Sequence, residues 1–513
     1  MIVFILQNNI QNAFSNPLSG IVNFKNESEI SYMKQILLFI FLSLNCILSA
    51  LGQEKHYYQA DFSVDEFNKR RSVIFDAIGS NGIAIIQSAP TVAGFKVFRQ
   101  TNTFYYLCGL EEGHSYLVLN GKNRSSVLYL PHRDVQREKS QGKIFSAEDA
   151  SLIKELTGVT DVRPVEFLAN DLIRSGLIKG QTPVLYTPLS PAEMGNDSRD
   201  EILSGHARAV ADPWDSFVTR EAKFKRLLNE RFPEFKVKDI SPLLDSMRLI
   251  KSPKEIEVIA RATEIAGLGI IEAMRSTKPG IYEYQLDAVA KFIFYQHGAQ
   301  GDGYPSIIGG GKNTFFGHYF RKTDLLKEGD LVLMDYAPDY KYYTSDVTRI
   351  WPVNGVFSKG QKALYNFIEE YRNALFRQLK PGITSTEVLD RAAEEMEQYL
   401  QGKTFEKPYH LEAVKKGLGF RGHFQHPVGM AVHDVGQLRD IPLQEGMVFT
   451  IDPMIWIPEE SLYIRIEDIV VITEKGARNL SAFVPSSVNE IEALIKEKGL
   501  TEFRPVQGNI QKK

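Results

Sequence analysis

The sequence predicts an α/β chain, α+β in overall content, in two parts. An α/β amino-terminal domain is followed by a domain made of two copies of one helix-and-strand unit related by a pseudo-twofold axis. Three observations predict it. Between about 60 and 240, short apolar runs alternate with helical stretches. From Ser246, in SMRLIKSPKEIEVIARATEIAGLGIIEAM, apolar residues recur at helical spacing behind a proline at the helix start, Pro253. Third, the second half of the chain repeats itself.

Taken in order, residues 1–32 are Asn-rich and unpatterned, and Met33-Lys34 then opens MKQILLFIFLSLNCILSALGQ. A basic residue, an apolar core and small residues before Gln53 form the pattern of a secretory signal peptide. Its apolar run of about 16 residues is short for a membrane span. We therefore expect translation from Met33, a leader over 1–52 and an exported protein, periplasmic or secreted, with no membrane anchor after cleavage. Cys46 falls in the leader, which leaves Cys108 alone and no internal disulfide. The first domain, 53–240, takes its strands from GIAIIQS, YLVLN, SVLYLP and PVLYTP, and its helices from VDEFNKRRSVIFDAI and AEDASLIKELTG. The second runs over 241–495, with a tail at 496–513. A chain of 513 residues that is 43% hydrophobic can form substantial cores in each. Lys+Arg (60) nearly balances Asp+Glu (63), and without a long basic run nucleic-acid binding has no electrostatic support.

The repeat has two collinear matches. AMRSTKPGIYEYQLDAVAKFIF from Ala273 is similar to LFRQLKPGITSTEVLDRAAEEM from Leu375, each a helix ending at Lys-Pro-Gly before another amphipathic helix. EGDLVLMD (Glu328–Asp335) parallels EGMVFTID (Glu445–Asp452). A partner strand with a further acid follows each: Asp346 in YYTSDVTR and Glu467 in LYIRIED. A two-residue turn at Tyr340-Lys341 would set Asp346 directly across from Asp335, about 4.5–5.5 Å away, where like charges destabilise a sheet. A pseudo-twofold axis would bring all four acids to one midline. Such a group needs a shared proton or a cation. The segment HFQHPVGMAVHDVG, with His423, His426 and His433, favours metal. Mixed carboxylate and imidazole donors suit Mn²⁺, Co²⁺, Zn²⁺ or Fe²⁺, and paired ions would activate water and clamp a tetrahedral intermediate. Any one of these aspartates alone would read as a solvated turn residue; the set in register with a repeat does not.

The ordered series FRQTNTFYYLCGLEEG, RLIKSPKEIEVIARAT, YPSIIGGGKNTFFGHY, DYAPDYKYYTSDVTR, HPVGMAVHDVG, GMVFTIDP, RIEDIVVIT and NLSAFVPSSVNEIEALI resembles aminopeptidase P (Xaa-Pro aminopeptidase) of the pita-bread metallopeptidase family, over nearly all of 60–495. The resemblance implies a creatinase-like amino-terminal domain and a pita-bread catalytic domain. It implies two divalent ions, Mn²⁺ first with Co²⁺, Zn²⁺ and Fe²⁺ as alternatives, held by Asp335, Asp346, His426, Asp452 and Glu467. Asp346 and Glu467 would bridge the ions. His318 and His433 match the family's substrate-contacting histidines, Asp452 its proton carrier, and Arg465 would orient Glu467 from the same strand face. The implied activity is release of the N-terminal residue from peptides with proline in second position, by a metal-bridging hydroxide. The implied assembly is a homo-oligomer, dimer or tetramer.

Three positions depart from the family pattern. Residue 452 is Asp where Glu is general, Tyr336-Ala337 stands where Ala-Gly is usual, and His423 lies three residues before His426 where many members have a histidine four before. His423 receives no role. The alternatives are a prolidase restricted to Xaa-Pro dipeptides, which needs a cation for the free carboxylate that the sequence does not locate, and a catalytically weak binding protein on the same fold. Methionine aminopeptidases lack the first domain, and creatinase-like hydrolysis lacks the metal set.

Overall fold

In the computed structural model the described residues are 61–92, 94–176, 183–422 and 424–503. The expected leader, with Met33 and cleavage near Gln53, and His423 lie outside them.

Strands β1 (Gly82–Gln87), β2 (Tyr116–Asn120), β3 (Ser125–Leu130), β4 (Asp161–Pro164), β5 (Val184–Thr187) and β6 (Lys236–Asp239) form one sheet in the order β4-β3-β2-β1-β5-β6. β2 runs antiparallel to β1 and β3, whereas β3-β4, β1-β5 and β5-β6 pair in parallel. The inner four strands are the apolar runs marked in the sequence. The edge strands DVRP and KVKD have no such signature, because a short charged edge is what keeps a sheet from pairing further. Ser63 caps the helix Val64–Ile78 by accepting from the Glu66 amide, and one stripe of that helix buries Phe67, Arg70, Arg71, Ile74, Phe75 and Ile78. The two buried arginines donate to the carbonyls of Tyr106 and Leu107, at 2.8 Å each. They thereby satisfy the end of the helix Asn102–Cys108, where the buried Cys108 thiol donates to the Phe104 carbonyl.

The repeat is realised in the backbone. Helices Pro253–Ser276 and Glu283–Gln296 correspond to Lys359–Gln378 and Ser385–Leu400. Between them the chain turns at Gly280 (φ 93°) and Gly382 (φ 87°), where an L side chain would be strained. The Gly280 amide donates to the Leu326 carbonyl at 2.9 Å, and Gly382 to Leu443 at 2.8 Å. The return bonds, Leu326 to Ile281 and Leu443 to Ile383, are both 2.8 Å. Next come the central strands Leu331–Asp335 and Val448–Ile451, and their antiparallel partners Thr348–Pro352 and Asp468–Thr473. A third correspondence has no counterpart in sequence similarity. Ile307–Gly310 pairs with the first central strand, Ile307 opposite Asp335. Phe424–Val428 runs equivalently along the second, through bonds from the Asp452 amide to Phe424 (2.8 Å) and from Thr450 to His426 (3.1 Å). The two units join where Thr348 and Glu467 exchange backbone hydrogen bonds of 3.3 and 3.1 Å.

The hairpin carrying the first aspartates differs from expectation. Its turn is Lys341-Tyr342, both at positive φ (53° and 70°), with Tyr340 facing Tyr343 and Asp335 facing Thr348. Asp346 is therefore not directly opposite Asp335 but two residues further along. An even shift keeps it on the same face. Turns of this hand ordinarily take Asn-Gly. Tyr342 occupies one because its ring stacks on Tyr105 with centroids 3.4 Å apart, the Arg99 guanidinium lies 3.3 Å from it, and its hydroxyl accepts from the Gln100 amide at 3.0 Å. Tertiary packing thus overrides turn chemistry. The same apolar cluster unites Phe67 and Phe104 of the first part with Ile259, Val448 and Ile469 of the second. Among the described residues, no helix is long and apolar enough to cross a membrane.

Candidate metal centre

Strand ends place the acids. Asp335 closes its strand, Asp346 precedes Thr348–Pro352, Asp452 follows Val448–Ile451, and Glu467 lies between Leu462–Arg465 and Asp468–Thr473. All are buried: relative exposure is 3% for Asp335, 4% for Asp346, 5% for Asp452 and 0% for Glu467. Among the described residues Arg465 is the one guanidinium placed with them, and it is 7% exposed. Four carboxylates against one arginine leave an excess of three negative charges out of water. That excess is untenable unless protons or cations neutralise it.

Asp346, His426 and Glu467 offer donor atoms that all lie within 4.8 Å of one another. Nε2 of His426 is 3.4 Å from Asp346 Oδ2 and 3.5 Å from Glu467 Oε1. The histidine backbone is pinned to Thr450, and Nδ1 lies 3.3 Å from the Pro427 carbonyl, so Nε2 is the ring nitrogen turned toward the acids. Asp452 Oδ1 and Glu467 Oε1 are buried with no hydrogen-bond partner among the described residues. Orphaned carboxylate oxygens beside an imidazole aimed the same way are the donor set a divalent cation requires, so the residues fit a metal.

The remaining contacts hold the acids apart or together. Tyr304 places its hydroxyl 2.6 Å from Asp335 Oδ1 and 2.8 Å from Asp346 Oδ1. It carries one proton, so it can donate to only one of them at a time. Thr348 Oγ1 donates to Glu467 Oε2 at 2.8 Å. Arg465 pairs directly with Asp335 and lies 3.6 Å from Asp452 Oδ2 and 3.5 Å from Glu467 Oε2. Without bound cations, burial pushes the Asp346 carboxyl well above the usual range, and the charges of Glu467 and Asp335 push it further. Burial and Glu467 do the same to Asp452. Burial also opposes ionisation of Glu467, but Arg465, His426 and Thr348 outweigh it and hold that carboxyl at about 2. The apo centre thus keeps one firm carboxylate and two that favour protons, which is the signature of acids crowded for a ligand.

The expected residues do not all fall together. Asp346, His426 and Glu467 form the close group. Asp335 and Asp452 stand outside it, the first engaged by Arg465 and Tyr304, the second one methylene short of a glutamate. Arg465 does not serve Glu467 alone but spans three carboxylates. His433 packs its ring 4.3 Å from that of His426. His318 lies outside the three-donor group, exposed in the turn after Gly311–Phe315, with its ring 6.1 Å from that of Phe320. Sequence reasoning missed Tyr304 and Thr348. The strand period of two should have flagged Thr348, which shares a face with Asp346; nothing in the local pattern marks Tyr304.

Comparison with known proteins is consistent with this geometry. Residues 257–474 match the model of metallopeptidase family M24, and 67–185 match the aminopeptidase P N-terminal domain. The chain is 32% identical over 414 residues to Xaa-Pro aminopeptidase 3 of Rattus norvegicus, covering 77% of this chain and 76% of the relative. It is 30% identical over 457 residues to Xaa-Pro aminopeptidase of Escherichia coli (85% and 98%). A solved E. coli aminopeptidase P variant in complex with substrate superposes with a TM-score of 0.69 at 30% identity, again over 85% and 98%. The chain belongs to metallopeptidase family M24, in its aminopeptidase P branch with the pita-bread fold, and is a metal-dependent enzyme.

Proposed function

We propose that the enzyme is an exopeptidase that releases the N-terminal residue from peptides with proline in second position. In this reading Asp335, Asp346, His426, Asp452 and Glu467 would hold two divalent ions, Mn²⁺ foremost. Four buried carboxylates around one imidazole, on a frame similar to Xaa-Pro aminopeptidases, carry the proposal. When bound, such ions polarise a scissile carbonyl and lower the pKa of the attacking water.

The chain's own residues do the rest. The Asp452 carboxylate accepts the proton released by water and delivers it to the leaving nitrogen. That nitrogen belongs to proline; the bond is a tertiary amide without an N–H, which general peptidases handle poorly. The imidazoles of His318 and His433 donate to the oxygen on which negative charge develops. Arg465 holds Asp335, Asp452 and Glu467 apart and offsets their charge. Burial excludes bulk water and strengthens each of these interactions. The leader over 1–52 directs export, the division near 240 separates the two domains, and the chain works as a homo-oligomer.

The test uses protein from Gln53 onward with added Mn²⁺, an Xaa-Pro-Yaa tripeptide, an Xaa-Pro dipeptide and an Xaa-Ala-Yaa control, read by mass spectrometry. Release of the first residue from the tripeptide alone, abolished by chelator, is the expected result. Cleavage of the dipeptide alone would make the enzyme a prolidase, and cleavage of the Ala control at equal rate would remove the proline specificity.

A further inference from the structure

We infer that Asp200, contributed by the first part of the chain, is a positioning residue for His433; this rests on the proposed role of His433 at the substrate. Asp200 Oδ2 is 2.6 Å from His433 Nδ1. The other oxygen, Oδ1, accepts from the Glu201 amide at 2.9 Å. The carboxylate is therefore fixed at one end on a helix N–H and presents the other to the imidazole. An ionised carboxylate only accepts hydrogen bonds, so Nδ1 carries the proton and Nε2 is left as the nitrogen available to the centre. The His433 backbone is held from the same segment, its amide donating to Ser198 Oγ at 3.2 Å.

The surroundings indicate that this contact is what the segment is built for. The helix Arg199–Ala211 fully buries none of its residues, so core packing contributes little to where it sits. Its first turn is anchored instead. Arg199 pairs with Glu193 and Asp245, both at 2.6 Å. Glu193 in turn pairs with Arg248 at 2.9 Å, and Arg248 reaches Asp434, the neighbour of His433, at 2.5 Å. One ion network, buried at Glu193, Arg248 and Asp434, thus fixes the segment that presents Asp200 and the loop that presents His433. At 57% exposure the Asp200 side chain has little structural role to lose.

The test combines ¹⁵N chemical shifts of the His433 imidazole with steady-state kinetics on an Xaa-Pro-Yaa tripeptide. Wild type is expected to show the Nδ1–H tautomer, and Asp200→Ala to lose that preference. Asp200→Ala should lower kcat about 10- to 100-fold with KM little changed, as loss of an orienting carboxylate does elsewhere. Asp200→Glu should recover most of both readouts, and Asp200→Ala should cost nothing further in a His433→Ala background. An unchanged tautomer in Asp200→Ala, or an unchanged kcat with a changed tautomer, overturns the inference. If wild type proves inactive on every peptide, the proposed function fails, while the tautomer measurement still decides whether Asp200 orients His433.

Discussion

Replacing Asp452 by glutamate tests the centre at its most unusual position. Asp452 Oδ2 stops 3.6 Å from Arg465 Nη1, and Oδ1 is buried without a partner among the described residues. A formed charge-assisted bond is about 2.8 Å, so the side chain falls short by about 0.8 Å. One added methylene contributes about 1.5 Å of bond length, enough to close that gap and to carry the second oxygen toward the donor group. A reacting group misplaced by about 1 Å costs about 10²-fold, or about 2.7 kcal/mol of barrier. Asp452→Glu is therefore expected to raise kcat/KM on an Xaa-Pro-Yaa peptide by up to about 10²-fold and to tighten metal binding by at least about tenfold, about 1.4 kcal/mol. Competition against a fluorescent chelator reads the affinity, and mass spectrometry of released residues reads the rate. A glutamate variant with unchanged or weaker metal binding and no gain in kcat/KM would show that the backbone already sets the shorter carboxylate at working distance.

Arg465→Ala removes the one guanidinium among the four acids and should destabilise the apo protein by about 3–5 kcal/mol. Added Mn²⁺ should recover much of that loss, and a melting-temperature deficit of the same size with and without metal would contradict the charge argument. Arg248 is 1% exposed between Glu193 and Asp434, so Arg248→Met should likewise cost about 3–5 kcal/mol in chemical denaturation. Burial alone would raise the Asp434 carboxyl, but Arg248 and Lys251 outweigh it and hold it below its ordinary value. With the folded value below the unfolded one, near 3.9, this stabilisation is complete above about pH 4 and is lost as pH falls further. Melting temperature should drop less steeply below that pH in Asp434→Asn than in wild type; parallel curves would refute it. Chelation should lower the melting temperature of wild type, since an ion present at about 100 times its Kd adds about 2.7 kcal/mol.

How much of this was legible follows from where the information lies. The four acids and the repeat could be read because each half must spend its own residues on the same turn: Lys-Pro-Gly at Gly280 and Gly382, and Glu-Gly before each central strand, at Gly329 and Gly446. Positive φ leaves a local mark in sequence. The third repeated element left none, because Ile307–Gly310 and Phe424–Val428 are defined by backbone bonds to a neighbour that any side chain permits. The hairpin register was misread for the opposite reason. Tyr342 adopts a turn conformation against its own preference because Tyr105, Arg99 and Gln100, more than two hundred residues away, hold it there. The same logic separates the proposed ligands from their keepers. Asp346, His426 and Glu467 announce themselves by residue type, and chemistry limits what can replace them. Tyr304, Thr348 and Asp200 act by position alone, and only the fold brings a hydroxyl or a carboxylate from a distant strand or helix to the atom it orients. A site whose proposed ligands are readable and whose orienting groups are not is what results when metal chemistry fixes the first and packing the second, so variants of the orienting groups are the more searching test of the structure.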